Sequence, residues 1–325
     1  MKLNDLISHN RTSIMGIAMM SIMLFHQPFF YGNTFVDFFH LFGHWGVDVF
    51  LFVSGFGLAH SLSKNSISNF YKNRCKRLLP ACLVVGMFKF LLMQFGFTHH
   101  THDNIILLLT NLYLWYIYAI VVLYIMAPWI YMLIRNYGIG ILIMSCLLSF
   151  GLNYIPFGNS PHYLVNHISW ISSRLPVFVL GMYLTINPLQ ISNNRIVLIG
   201  LPFFIICMGL QLASIMVEYQ WNVPYIFILL SPSVPMLCIA FCYLKKIFAK
   251  IKIGKIIDYL GANSLEFYLW HEYIYRNILR HQQFNQLNAY IQCILSLGII
   301  VLCVIITSFL VNRINRIQLN NILLQ

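Results

Sequence analysis

The chain has 325 residues, of which 59% are hydrophobic and 9% charged, and its mean hydropathy is +0.75. Soluble proteins carry about 25% charged residues, so this composition excludes a soluble globular domain and indicates an integral membrane protein. The formal net charge of +12 does not mark a nucleic-acid binder, because the lysines and arginines cluster in short segments between apolar runs, as the positive-inside rule produces.

A transmembrane helix needs about 20 mostly apolar residues. The sequence predicts ten such spans, near residues 12–30, 40–62, 78–97, 115–134, 139–155, 170–187, 195–216, 224–244, 264–280 and 289–311. The run 104–114 (NIILLLTNLYL) is expected to form a re-entrant or interfacial helix leading into the fourth span. The first ten residues are polar and the following apolar run has no small-residue cleavage site, so no cleavable signal peptide is expected.

The charges test this count. With a cytosolic N-terminus, the inner segments hold sixteen of the twenty lysines and arginines, including Lys2, Arg11, Lys64, Lys72, Arg74, Lys76, Arg77 and the group from Lys245 to Lys255. Arg276 and Arg280 fall outside, and Lys89 and Arg174 lie within spans. Such a bias places both termini in the cytosol. The expected architecture is an all-α polytopic membrane protein of about ten transmembrane helices, with residues 1–325 as a single domain.

Cys82, Cys146, Cys207, Cys238, Cys293 and Cys303 fall inside apolar runs, Cys242 stands one helical turn after Cys238, Cys75 sits in a basic segment, and no CxxC occurs. Free thiols acting as small hydrophobes are expected. The outer loops contain Asn33, Asp37, His99, His100, His102, Asn159 and His162, which read as solvated loop residues first and as substrate contacts second. The THHTHD run has no metal-site spacing, and no metal is expected.

Ionisable residues inside spans are costly and by default mark a functional site. His26 lies near the outer end of the first span, fifteen residues after Arg11 and hence about 22 Å above it at 1.5 Å per residue. An interfacial histidine and a catalytic one are both open readings. Asp48 on the second span needs a cation or donors, with His44 and His26 as candidates, whereas Ser54-Gly55 reads as close helix packing.

Arg74 and Arg77 stand three apart before the third span, so on a helix they share a face. They read either as a positive-inside loop or as a clamp for phosphate oxygens, which the guanidinium fork suits. In the ninth span, Glu266 is set in an apolar, aromatic stretch, while His271 and Glu272 read as interfacial. Arg174 is a candidate ion partner for one of these two acids.

GIAMMSIMLFH, GVDVFLFVSGF and RCKRLLP, followed by LWYIYAIVVLYIMAP, SRLPVFVLGMYL and GANSLEFYLWHEY, resemble the integral-membrane acyltransferase-3 family in order and spacing. The resemblance runs from about residue 12 to 310. It implies O-acylation, usually O-acetylation, of extracytoplasmic glycans from a cytosolic acyl-coenzyme A, in a multi-pass protein of the bacterial cytoplasmic membrane.

His26 matches the family's first-span histidine, as base or nucleophile. Arg74 and Arg77 match its RxxR motif on the coenzyme A side, and Glu266 matches an acidic position of the penultimate span. Asp48 or Glu266 would orient the His26 tautomer. The family's basic residue eleven positions before the histidine is here Met15, and Arg11, one turn lower on nearly the same face, stands in for it. The implied partners are acetyl-coenzyme A as donor, a glycan or lipid-linked sugar as acceptor, and the bilayer, with no nucleic acid. No appended extracytoplasmic domain is expected to relay the acyl group. A polytopic glycan or solute transporter suits the ten spans equally well, and a non-catalytic family member is the third reading.

Overall fold

A computed structural model describes residues 2–30, 32–95, 105–154, 163–216, 224–278, 284 and 286–323. All regular structure among them is helical. In chain order the helices are α1 (Leu3–His26), α2 (Thr34–Phe42), α3 (Trp45–Leu62), α4 (Ile67–Gln94), α5 (Ile105–Thr110), α6 (Trp115–Tyr137) and α7 (Ile139–Tyr154). Then follow α8 (Tyr163–Ile186), α9 (Asn193–Met216), α10 (Pro224–Leu230), a 3₁₀ turn (Ser231–Ser233), α11 (Val234–Lys250), α12 (Gly254–Ala262), α13 (Ser264–Ile278) and α14 (Ala289–Leu323). His99, His100, His102, Asn159, His162 and Arg280 lie outside the described residues.

Two predicted spans are interrupted. The stretch 40–62 breaks at Gly43-His44 into α2 and α3. The stretch 224–244 breaks at Ser231–Ser233, where Pro232 and Pro235 cannot donate to the preceding turn. The run 104–114 yields α5, six residues long and too short to cross a bilayer. It packs on α4 at Gly86, where an added Cβ would run into the Leu109 backbone.

Six helical stretches among the described residues are long and apolar enough to cross a membrane: Trp45–Leu62, Trp115–Tyr137, Ile168–Ile186, Asn193–Ala213, Ile226–Lys250 and Ala289–Arg316. Of the longer helices outside this set, α1 and α4 carry ionisable residues that lower their hydropathy, whereas α7 and α13 have only 16 and 15 residues. The molecule is an all-α, multi-pass membrane protein.

Burial sorts the helices into a centre and a rim. The apolar window of α3 is 78% buried, whereas those of α9 and α14 are 22% and 28% buried. Leu198, Ile205, Ile294 and Leu302 are among the exposed apolar side chains of that rim, which faces lipid. At the centre, α3 and α8 meet backbone to backbone. A Cβ on Gly55 would strike the Phe178 carbonyl, and one on Gly181 would strike that of Phe52. This bears out the packing reading of Ser54-Gly55, since small residues let helices approach in a membrane. α1 is held between α3, α11, α12 and α13, with His26 half-buried at its end and Arg11 still open to solvent. All eight cysteines are free thiols.

Candidate functional site

A cavity of about 290 Å³ opens among α1, α3, α4, α6, α12 and α13. At one end it is lined by Arg11, Arg74 and Arg77, and along its walls by Met15, Phe50, Ser54, Tyr116, Tyr124, Ser264 and Tyr268. Each arginine is placed by a local feature. Arg11 lies against Gly57 of α3, with Nη2 2.8 Å from where a Cβ would stand. Arg74 and Arg77 share a face of α4, whose start is capped by the Ser66 hydroxyl accepting from the Asn69 amide. Arg74 Nη2 approaches the Ser61 hydroxyl at 3.5 Å, and Arg77 Nη2 donates to the Ala262 carbonyl at 3.0 Å.

Against these three guanidiniums stands one carboxylate. Glu266 Oε2 is 3.8 Å from Arg77 Nη2, and the Glu266 side chain is 3% exposed. The cluster therefore keeps an excess of positive charge in a partly enclosed space, with planar forks suited to phosphate oxygens. Met15 and Arg11, one turn apart on α1, line the same cavity.

At the other end of α1, the His26 ring faces His271 of α13, with centroids 5.1 Å apart. Tyr268 links this pair to the cavity: it lines the cavity and stacks on His271 at 5.3 Å, and Tyr116 lies 4.6 Å from Tyr268. Glu272 lies within electrostatic reach of His26 and pairs with Arg276 at 2.5 Å. Phe25, the residue before His26, touches the ring of His44 at 5.3 Å.

Three sequence expectations are corrected here. Glu266 does not accompany His26; it belongs to the arginine end of the cavity, five residues and about 7.5 Å along α13 from His271. Asp48 pairs neither with His44 nor with His26. Its Oδ1 lies 3.6 Å from Arg174 Nε of α8, and both side chains are almost fully buried. Arg174 is thus the partner of Asp48 and not of Glu266 or Glu272, because the close packing of α3 on α8 sets these two residues face to face.

The pairing of Asp48 and Arg174 is enclosed by aromatic rings. The guanidinium carbon lies 3.8 Å from the Phe227 centroid, 4.8 Å from that of Trp115 and 5.1 Å from that of Trp170. His271, read from the sequence as interfacial, is 0% exposed. Lys89, a second buried cation, donates to Asn111 Oδ1 at 2.7 Å and to the Tyr113 hydroxyl at 2.9 Å. Asn111 adopts a left-handed φ of 56° and donates to the Cys82 carbonyl, which ties the segment after α5 to α4. The signal that could have singled out His271 was its place five residues beyond Glu266, in a run otherwise apolar and aromatic.

A family model described as an acyltransferase domain matches residues 14–308. No curated protein matches the chain, and no solved structure does.

Proposed function

The chain belongs to the acyltransferase-3 family, and from that premise we propose that it transfers an acyl group, most simply acetyl, from cytosolic acyl-coenzyme A to a hydroxyl of an extracytoplasmic or lipid-linked glycan. The observation that carries this reading is the cavity that begins at Arg11, Arg74 and Arg77 and reaches Tyr268, one ring from the His26–His271 pair. In this reading the ten spans hold both termini in the cytosol of a bacterial cell, and the arginine end faces the donor.

The donor's phosphates engage the three guanidiniums, and its pantetheine arm follows the wall of Met15, Phe50, Tyr116 and Tyr268 towards His26. His26 takes the proton of the acceptor hydroxyl, and the oxygen attacks the thioester carbonyl. The carbon–sulfur bond then breaks, and the proton passes from His26 to the departing thiolate, which leaves free coenzyme A and the ester. Such acid–base assistance contributes about 10²–10⁴-fold.

Binding of acetyl-coenzyme A to the purified protein tests the donor site. A hydrogen bond to a charged group contributes about 1.5–3 kcal/mol, so Arg74→Ala and Arg77→Ala are each expected to weaken binding by about 10-fold or more. Unchanged affinity in both single variants and in the double variant would remove the donor site from this cavity. Gly57→Ala is a milder probe. Its methyl would displace the Arg11 guanidinium while the helices stay in place, because the atom it meets is the end of a flexible side chain. A several-fold loss of donor affinity with unaltered thermal stability is the expected result.

A transporter is the second reading, favoured by the breaks at Gly43-His44 and Ser231–Ser233, since interrupted helices build solute sites. The same binding measurement separates the two, because a glycan transporter has no use for acetyl-coenzyme A.

A further inference from the structure

His271 sits on α13 with its ring fully enclosed. Its Nδ1 lies 2.9 Å from the Tyr268 carbonyl and 3.2 Å from the Phe267 carbonyl. Carbonyl oxygens only accept, so Nδ1 carries the proton, and in the neutral ring Nε2 is a bare lone pair. That Nε2 is buried and has no hydrogen-bond partner. A buried acceptor left unpaired is costly, and the acceptor therefore has a use in the working complex.

Three rings pack on the His271 ring, with centroids 5.3 Å away for Tyr268, 6.3 Å for Tyr275 and 5.1 Å for His26. Of these, His26 is the group to which the acyl-transfer reading assigns the proton chemistry, and the inference rests on that reading. We propose that His271 is the positioning partner of His26: its Nε2 accepts the N–H of His26 and so fixes which His26 nitrogen is left as the base. The logic is that of the acceptor behind a catalytic histidine, where losing the correct tautomer costs far more than losing the contact. Here a neutral imidazole, pinned by its own helix, takes that place.

Two substitutions and two readouts test this. His271→Phe fills the space without an acceptor, and His271→Gln restores an acceptor oxygen near the position of Nε2. With the full-length protein in lipid nanodiscs, His271→Phe is expected to lower kcat for acetyl transfer by about 10–100-fold, the usual effect of losing an orienting partner. KM for acetyl-coenzyme A should not change, because the donor is held at the arginine end. His271→Gln is expected to recover most of the lost rate. Nitrogen-15 spectra of labelled histidines should show one His26 tautomer in the wild type and a mixture in His271→Phe.

Equal kcat in the Phe and Gln variants, or one unchanged His26 tautomer in His271→Phe, would overturn the proposal. If the wild type transfers no acetyl group, the acyl-transfer reading fails instead. The tautomer spectra still report on the pairing in that case, since they need no turnover.

Discussion

Replacing His26 by alanine is expected to lower acyl transfer by about 10²–10⁴-fold, the range that a positioned acid–base group contributes. His26 is the last residue of α1, and its ring is only half-buried, so truncation removes little packing. The arginine cluster begins fifteen residues earlier on the same helix, about 22 Å away. Binding of acetyl-coenzyme A should therefore survive in His26→Ala, and a variant that binds donor normally but does not turn over is the expected outcome. The measurement pairs donor binding with acetyl transfer in the same preparation, and normal transfer by this variant would sink the mechanism. Chemical analysis of the cell-surface glycans with and without the protein would identify the acceptor.

The second large effect concerns stability. Asp48 and Arg174 are each 1% exposed and face each other at 3.6 Å. Removing one partner of a buried ion pair costs about 3–5 kcal/mol, because the remaining charge stays desolvated. Arg174→Leu is thus expected to lower the unfolding temperature in detergent sharply. The double variant Asp48→Leu/Arg174→Leu should recover much of that loss, since apolar replacement of both partners is often neutral. If the single and double variants unfold alike, the pair is not the clamp between α3 and α8 that its burial indicates. Asp48→Asn adds a check on the sequence expectation of a catalytic carboxylate. A variant of normal stability without activity would return Asp48 to the chemistry.

Several features were legible in the chain itself. A histidine and an arginine pair interrupting apolar runs are visible without a fold, because hydrocarbon makes such residues expensive. Helices 115–137 and 139–154 follow the predicted spans closely, since each is a plain apolar run bounded by polar residues or glycine. The breaks within 40–62 and 224–244 were not legible. Gly43-His44 and Pro232 lie inside stretches that remain apolar on both sides, and a hydropathy window averages across them.

The partners of the charged residues were the part most misjudged. Glu266 and Glu272 were open choices for Arg174, and Asp48 and Glu266 for His26, because position along a helix determines depth but not which neighbouring helix a side chain faces. Depth was nearly enough for Arg11, which does reach Arg74 and Arg77. It was not enough for Glu266, which lies at the arginine end of the cavity, about 7.5 Å along α13 from the histidine that faces His26. His271 looked interfacial for the same reason: in a run as aromatic as FYLWHEYIY, no polar face marks which side is inward.

Composition and spacing alone establish a multi-pass helical membrane protein, a pair of arginines three residues apart, a histidine at the end of an apolar run, and motifs of an acyltransferase family. Those properties depend on composition, spacing and the cost of charge in lipid, all of which are local to a stretch of chain. The folded arrangement of helices is what pairs Asp48 with Arg174, joins Glu266 to the arginines and turns His271 towards His26. Such pairings depend on which helices touch and how each is rotated. That is set by contacts between residues far apart in sequence, such as Gly55 on Phe178 and Gly261 on Thr12.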